Sequence, residues 1–276
     1  MPRLSHLSPL LAITLSLMTA CGGEPDPTPP PYSTPTPSAE QGNPFTQTGT
    51  WAGKYVISQF VENVLSFLDP DDFVQQYIVT YSIVKLSPGP EANTLYYAED
   101  NCITVMTEVN GAKSELGEGY FLNSPLDEYV INLSSDEVGA TFTLPETLTT
   151  KGVNLEDPVN DPLPTDPKDP RLLDFDQDGN PGYTVYISGA ANGELYATER
   201  YIFSYIGTVV TDDLISGLID GVVENTFVES TNALIPTDTQ TKADEDPSHN
   251  FFEFKRVEDG MKCEQLLEQY PQIFPE

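Results

Sequence analysis

The chain has 276 residues, and its 43 acidic against 12 basic side chains give a formal net charge of −31. A surface this acidic makes nucleic acid and anionic lipid headgroups poor partners, so no nucleic-acid partner is expected, and it favours divalent cations or a basic partner. The acidity also suits an exported protein that has to stay soluble. The length is sufficient for one domain with a proper hydrophobic core.

The first 20 residues, MPRLSHLSPLLAITLSLMTA, predict a secretory signal peptide, because Arg3 precedes an apolar run that is too short to span a bilayer. The following stretch LMTAC resembles a bacterial lipobox, although Met18 occupies the position where leucine is usual. Cleavage there would leave Cys21 as an N-terminus carrying acyl chains such as palmitate, and two or more chains anchor a protein stably. Gly22, instead of the aspartate that marks inner-membrane retention, indicates the outer membrane. The alternative is an ordinary signal peptide with an incidental cysteine.

Residues 21–48 combine the lipidated cysteine with a segment rich in Pro, Thr and Ser, which buries too little apolar surface to fold. In the extended polyproline conformation this segment would reach roughly 80 Å at about 3.1 Å per residue. The sequence therefore predicts a disordered tether between a membrane anchor and a folded domain over residues 49–276. The domain would lie at the periplasmic face of the outer membrane or at the cell surface.

Two cysteines remain in the predicted domain, Cys102 and Cys263. In an oxidising, exported compartment they are expected to form a disulfide, which in the chain-entropy account contributes roughly 4–5 kcal/mol for so long a loop. Two separate buried thiols are the alternative. A zinc site is not expected, because His249 is the single histidine left after the signal peptide.

The predicted domain is rich in strands, since apolar and polar residues alternate over many short stretches. Residues 126–133 are ambiguous between a strand and a short helix, residues 110–119 carry a turn signal, and Pro145 is expected to end a strand. Short strands with regular turns predict an all-β fold, a single antiparallel barrel or sandwich. The expected strands are 50–61, 73–86, 94–109, 140–150, 183–189, 194–210, 213–230 and 249–257.

A long irregular segment, residues 154–182, separates two of these strands and contains six prolines. Its end reads LLDFDQDGNPG, and the alternating carboxylates before a glycine are typical of a loop that binds Ca²⁺. This is not an EF-hand, because Val185 stands where the twelfth-position glutamate is required. The expected role of the ion is structural, and the alternative is an acidic turn without an ion. The predicted ligands are Asp174, Asp176, Asp178 and the Asn180 carbonyl, with Asp169 and Asp166 as candidates for the remaining positions.

These motifs together resemble a group of envelope lipoproteins from myxobacteria, which combine a lipobox, a Pro/Thr tether, a GTWAG start and two cysteines. The segment PTDPKDPRLLDFDQDGNPG at 164–182 carries the most specific part of this resemblance, which covers most of the mature chain. It implies a location and no activity. Gly49-Thr50-Trp51 is also similar to the G-x-W of lipocalins, in which a tryptophan closes one end of an eight-stranded barrel, although the aspartate loop departs from that family. Trp51 as an ordinary core residue is the alternative.

The sequence therefore predicts a membrane-anchored envelope lipoprotein whose calcium-stabilised domain has a binding or structural role and is not an enzyme. A lipocalin-like carrier of a small apolar ligand, or a binder of an envelope partner, would use a pocket. A serine nucleophile is not expected, because Ser248 and His249 lie in an acidic loop and no nucleophile motif is present. Among enzymes this leaves a hydrolase with paired carboxylates as the alternative. The candidate pocket residues, which could equally form core, are Trp51, Tyr201, Phe203 and Tyr205.

Overall fold

The computed structural model describes residues 28–35, 41–62, 72–124 and 127–275. The predicted signal peptide, Cys21 and part of the predicted tether lie outside these residues. Strands dominate the described chain, at 54% of residues against 8% for helices, which confirms the all-β prediction. Among the described helices, none has the length and apolar character needed to cross a membrane.

The strands form one antiparallel sheet of 11 members. They are β1 (Gly49–Glu62), β2 (Phe73–Pro88), β3 (Thr94–Met106), β4 (Ala112–Leu116), β5 (Asp127–Leu133), β6 (Thr141–Lys151), β7 (Tyr183–Gly189), β8 (Gly193–Thr211), β9 (Leu214–Ser230), β10 (Thr241–Ala243) and β11 (Phe251–Arg256). The helices are α1 (Glu118–Leu122), a 3₁₀ turn (Pro247–His249) and α2 (Cys263–Ile273).

The sheet curls into a ring, since its strands pair in chain order and the last returns to the first. The members of the ring, in order, are β1, β2, β3, β5, β6, β8, β9 and β11. The return is the pairing of β11 with the first half of β1, where Trp51 lies opposite Arg256. Strands β4, β7 and β10 are additions at one end, because β7 pairs with the start of β8, β4 with β7, and β10 with the end of β1. The sheet is therefore ring-like without being a regular barrel.

One end of the ring is filled by a continuous hydrophobic core. Alternation along each strand points every second side chain inward, so Trp51 and Tyr55 of β1 meet Phe252 and Phe254 of β11. Trp51 is 0% exposed and lies beneath the guanidinium of Arg256, which is 4.1 Å from its ring. Arg256 also donates hydrogen bonds to the carbonyls of neighbouring loops, and the ring is thereby closed at this end.

The predicted tether is packed against the domain at two points. Phe45 is 5% exposed and contacts Trp51 at a centroid distance of 6.1 Å, so it belongs to the core. Tyr32 stacks on Phe251 at 5.6 Å, and its backbone N–H donates to the carbonyl of Ser248 at 2.7 Å. Two aromatic residues of the predicted tether therefore cover apolar surface of the domain.

Helix α2 lies on the outer face of the ring, where it was not predicted. Its Leu266 packs on Ala52 and Ile83, and Cys263 forms the predicted disulfide with Cys102. The register between β2 and β3 skips Cys102, which is the extra residue of a β-bulge. With 11 residues and Pro271 in its last turn, α2 is too short to give a reliable periodic signal, which explains why the sequence pattern did not predict it.

Three local predictions need correction. Residues 127–133 form strand β5, because both neighbouring strands supply ladder partners. Pro145 does not end β6. The register between β6 and β8 shifts between Leu144 and Thr147, so the ladder does not require the N–H donor that proline lacks. The segment predicted as a turn, residues 110–119, contains a turn at Asn110 and Gly111, then β4 and the first residues of α1.

Candidate ligand cavity and aspartate loop

The end of the ring opposite Trp51 contains a cavity of ≈ 320 Å³. At this end β11 no longer pairs with β1, and the first residues of β8 pair with β7 instead of β6. The walls come from the inward faces of several strands, including β1, β2, β3, β7, β8 and β9. A cavity between β1 and β8 is the feature that separates a binding domain from a solid structural one.

Aromatic rings form much of the cavity wall. Tyr201, Phe203 and Tyr205 of β8, three of the candidate pocket residues, line it, with the rings of Tyr201 and Phe203 stacked at 5.2 Å. Trp51 does not line it, because Trp51 lies at the filled end under Arg256. The wall includes seven tyrosines and two phenylalanines, so it offers apolar surface with hydroxyl groups at its edges.

A buried charged cluster lies on the β6–β8 side of the cavity. Lys151 and Glu199 are 4% and 8% exposed, and the ammonium is 3.8 Å from a carboxylate oxygen. The carboxylate accepts hydrogen bonds from Tyr120 at 2.6 Å and Tyr183 at 3.1 Å, and Lys151 donates to the Tyr120 hydroxyl at 2.8 Å. Burial, followed by the Glu199 charge, raises the pKa of both tyrosines well above 10, so both remain protonated donors.

A second carboxylate, Glu99 of β3, lies in the same cavity. It accepts hydrogen bonds from the Tyr97 hydroxyl at 2.5 Å and from Ser82 at 3.0 Å. The Tyr97 hydroxyl is in turn 2.5 Å from that of Tyr55. Burial and the Glu99 charge raise the pKa of both tyrosines well above 10, and their hydroxyl groups therefore stay protonated beside the carboxylate.

Asn225 adds an acceptor to the cavity wall. It lies opposite Glu199 in the β8–β9 pairing and lines the cavity. Its side-chain oxygen Oδ1 is buried and has no hydrogen-bond partner among the described residues. Because a buried polar atom without a partner is costly, such an atom in a cavity points to a donor supplied by a ligand or by water.

The aspartate loop brings its three predicted carboxylates together. Oxygen atoms of Asp174, Asp176 and Asp178 lie within 4.8 Å of one another. Oxygens on opposite sides of a Ca²⁺ ion are about 5 Å apart at most, so this spacing fits a single ion. Gly179 has a φ of +92°, which a residue with a side chain rarely adopts, and this conformation makes the turn that folds the loop back.

The individual carboxylates differ in their surroundings. Asp174 accepts from the backbone N–H groups of Asp178 and Gly179, both at 3.0 Å. One oxygen of Asp176 accepts from the Thr184 N–H at 2.8 Å, whereas Oδ1 is buried without a hydrogen-bond partner among the described residues. Burial, and then the charges of Asp178 and Asp174, raise the pKa of Asp176, which is the behaviour expected where a counter-ion is needed.

Asp169, a predicted ligand, is placed elsewhere in the loop. Its carboxylate binds Arg171 through Nε at 3.0 Å and a terminal nitrogen at 2.8 Å. The hydrogen bonds from Arg171 lower the pKa of Asp169 to about 2. Asp166 accepts from the Lys168 backbone N–H at 2.9 Å, and Asn180 donates its own N–H to Asp178 at 2.8 Å.

The loop and the cavity share a wall. Phe175, between two of the aspartates, packs against Tyr120 with the ring centroids 5.8 Å apart. A side chain at Gly119 of α1 would come within 2.4 Å of the Asp176 carbonyl, so the loop lies directly on α1. Any ion that orders this loop therefore also supports the cavity wall around Tyr120.

Ser248 and His249 do not form a nucleophile with its base. The Ser248 hydroxyl donates to Asp246 at 2.7 Å, and His249 Nδ1 is 2.7 Å from Asp244 Oδ2. Burial alone would raise the pKa of Asp244, but hydrogen bonds from the Asp246 backbone, Ser58, His249 and Gln75 lower it to about 2. The cluster therefore fixes the 3₁₀ turn to β1 and β2.

Several cavity residues were missed by the sequence analysis, above all Lys151, Glu199, Glu99 and Asn225. They lie on four different strands, and only the register of the ring brings them into one cavity. Among 43 acidic residues, an inward position within a strand is the one signal that could have marked Glu99 and Glu199.

The sequence matches no family model, and searches of the curated proteins and of the solved structures found no significant match.

Proposed function

We propose that the protein binds a small, largely apolar ligand in the cavity of its β ring. The observation that carries this proposal is the ≈ 320 Å³ cavity between β1 and β8, lined by tyrosine and phenylalanine rings. Ligand sites are typically concave, mostly apolar and equipped with a few polar groups that set orientation. A purely structural domain would have no need to keep this end of the ring unfilled while the other end is tightly packed.

The chain-order ring also supports the lipocalin-like carrier suggested by Gly49-Thr50-Trp51. In both cases a tryptophan on the first strand lies at the closed end, and the ligand would enter at the opposite end. The signal peptide and Cys21 motif suggest that the carrier is anchored at the outer membrane. We therefore propose a lipid-anchored envelope protein that holds a small molecule beside the membrane.

Hydrolysis is a second use of the same cavity, because Glu99 and Glu199 both line it and paired carboxylates serve glycoside hydrolysis. Each carboxylate is held by protonated tyrosine hydroxyls, and Glu199 is also paired with Lys151. Groups fixed in this way suit ligand binding, and we therefore propose binding over catalysis.

Binding in the ring can be tested with 1,6-diphenylhexatriene, a neutral hydrocarbon whose fluorescence rises in apolar surroundings. We expect a saturable rise in fluorescence with the wild-type chain. Val223→Trp should abolish it, because Val223 lines the cavity and the larger side chain would occupy the space. The matched control is Val222→Trp on the outer face, where Val222 is 57% exposed. Equal binding by both variants would place the dye outside the ring.

We also propose that Asp174, Asp176 and Asp178 hold a structural Ca²⁺ ion, with the Asn180 carbonyl as a further ligand. The carboxylate spacing and the buried, unpartnered Asp176 Oδ1 support this proposal. The ion would offset the mutual repulsion of three carboxylates in a proline-rich loop. Because the loop packs on α1, it would also stabilise one wall of the cavity.

A calcium effect is expected in thermal unfolding. At 100 times its dissociation constant, Ca²⁺ should stabilise the protein by about 2.7 kcal/mol relative to EDTA, since it binds the folded state alone. Asp176→Ala should remove this gain, whereas Glu156→Gln, an exposed acid in the same long loop, should retain it. An identical melting temperature in calcium and in EDTA would leave an acidic turn without an ion.

A further inference from the structure

The cavity wall is rich in hydrogen-bond acceptors and negative charge. Among its described residues, four acidic side chains face one basic side chain, Lys151. Lys151 is already paired with Glu199 and with the Tyr120 hydroxyl. The remaining charge at the wall is therefore negative. The acidic side chains are Glu62, Glu99, Asp100 and Glu199.

One acceptor of the cavity wall has no donor among the described residues. Asn225 Oδ1 is buried in the wall and has no hydrogen-bond partner there. Glu99, which accepts hydrogen bonds from Tyr97 and Ser82, adds a carboxylate charge to the same wall. A ligand that completes these contacts has to donate hydrogen bonds, and it gains most if it carries positive charge.

The aromatic wall favours the same kind of ligand. Tyrosine faces attract a cation placed within about 6 Å of the ring centroid. The protein already uses this contact inside the cavity, where the Lys151 ammonium lies 4.1 Å from the Tyr120 centroid and 5.6 Å from that of Tyr201. The whole-chain charge of −31 adds to this preference, because an acidic protein focuses a negative potential into its clefts.

We infer that the ligand of the cavity is a protonated amine with an apolar body, whose nitrogen donates to the acceptor wall formed by Glu99, Glu199 and Asn225. This inference rests on the proposed binding function and narrows it. The apolar body occupies the space among the tyrosine and phenylalanine rings. An anionic ligand of the same size, such as a fatty acid, is disfavoured because its carboxylate would meet carboxylates and unprotonated acceptors.

The test compares two competitors that share a twelve-carbon chain, dodecylammonium and dodecanoate, for displacement of 1,6-diphenylhexatriene from the purified full-length chain. Both are used below their micelle concentrations, at about 0.15 M ionic strength, where a Debye length of about 8 Å screens exposed charges. We expect dodecylammonium to displace the dye at a concentration at least about tenfold lower, since an ion pair contributing about 1.4 kcal/mol has that effect.

Two variants locate the preference. Glu99→Gln keeps an acceptor for Tyr97 and removes the charge, and Asn225→Leu removes the unpartnered oxygen at similar volume. Each should lower the dodecylammonium preference several-fold when displacement is scaled to that variant's own affinity for the dye. Glu146→Gln makes the same charge change at an exposed position and should leave the preference unaltered.

The outcomes separate the two proposals. If the dye binds inside the ring but the two competitors displace it equally, or dodecanoate is preferred, the amine inference is overturned and the binding function stands. A preference that Glu99→Gln, Asn225→Leu and Glu146→Gln all leave intact would reflect surface charge, and it would also overturn the inference. If the dye does not enter the ring, the proposed function and the inference both fail.

Discussion

Replacing Lys151 by methionine is expected to lower the free energy of unfolding by about 3–5 kcal/mol, because it leaves the Glu199 carboxylate buried without its cation. Glu199 is 8% exposed, and its remaining partners, Tyr120 and Tyr183, supply neutral hydrogen bonds. Chemical denaturation of the wild-type chain and of the variant measures the loss.

Two further variants test that explanation. Lys151→Met combined with Glu199→Gln should recover most of the lost stability, because the glutamine oxygen still accepts from the tyrosines and no buried charge remains. Lys113→Met, which breaks an exposed pair with Glu115 at 2.8 Å, should cost less than about 1 kcal/mol. A double variant as unstable as the single one would show that packing around Lys151, and not the charge, controls stability.

Loss of the Cys102–Cys263 disulfide is expected to have a similarly large effect. The cysteines are 161 residues apart, and the chain-entropy account gives about 5 kcal/mol for a loop of that length. The bridge also holds α2 on the outer face of β1 and β2, where Leu266 is buried. Cys102→Ser with Cys263→Ser should therefore lower the melting temperature and expose α2 to proteolysis.

The control for this prediction is the reducing agent itself. Dithiothreitol should destabilise the wild-type chain to the level of the double serine variant, and it should leave the double variant unchanged. A loss below about 1 kcal/mol would mean that the unfolded chain is already restrained without the bridge, and the entropic account would be wrong for this protein.

Much of the strand content followed from alternation of apolar and polar residues. Strands β1, β2, β3, β8 and β9 are long enough for this signal, and the connection between β2 and β3 contains Gly89 and Asn93. Strands β4 and β10 have five and three residues, too few for a periodic pattern. They form because β7 and β1 supply partners that are distant in sequence, which no local pattern reports.

The ring itself depends on one such distant contact. Sequence patterns left a barrel and a sandwich open, because both use the same alternating strands. The pairing of β11 with β1, which places Trp51 opposite Arg256, decides for a ring. Alternation did identify Tyr201, Phe203 and Tyr205 as inward residues, whereas the charged part of the cavity required the register of strands β3, β6 and β8.

The aspartate loop, in contrast to the charged part of the cavity, could be predicted largely from the local sequence. Its three carboxylates are neighbours in sequence, so their convergence was predictable from spacing and from Gly179 alone. The competing partner of Asp169 was also adjacent, since Arg171 lies two residues away and binds its carboxylate. The sequence therefore already contained a signal against Asp169 as a metal ligand, namely an arginine two residues away that can pair with its carboxylate.

A crystal structure of the protein grown with dodecylamine tests most directly whether the ring interior holds an apolar amine. We expect density for the alkyl chain between β1 and β8, with the nitrogen within hydrogen-bond distance of Glu99, Glu199 or Asn225. Density for the amine on the outer face alone, with the ring interior unchanged, would contradict this binding mode.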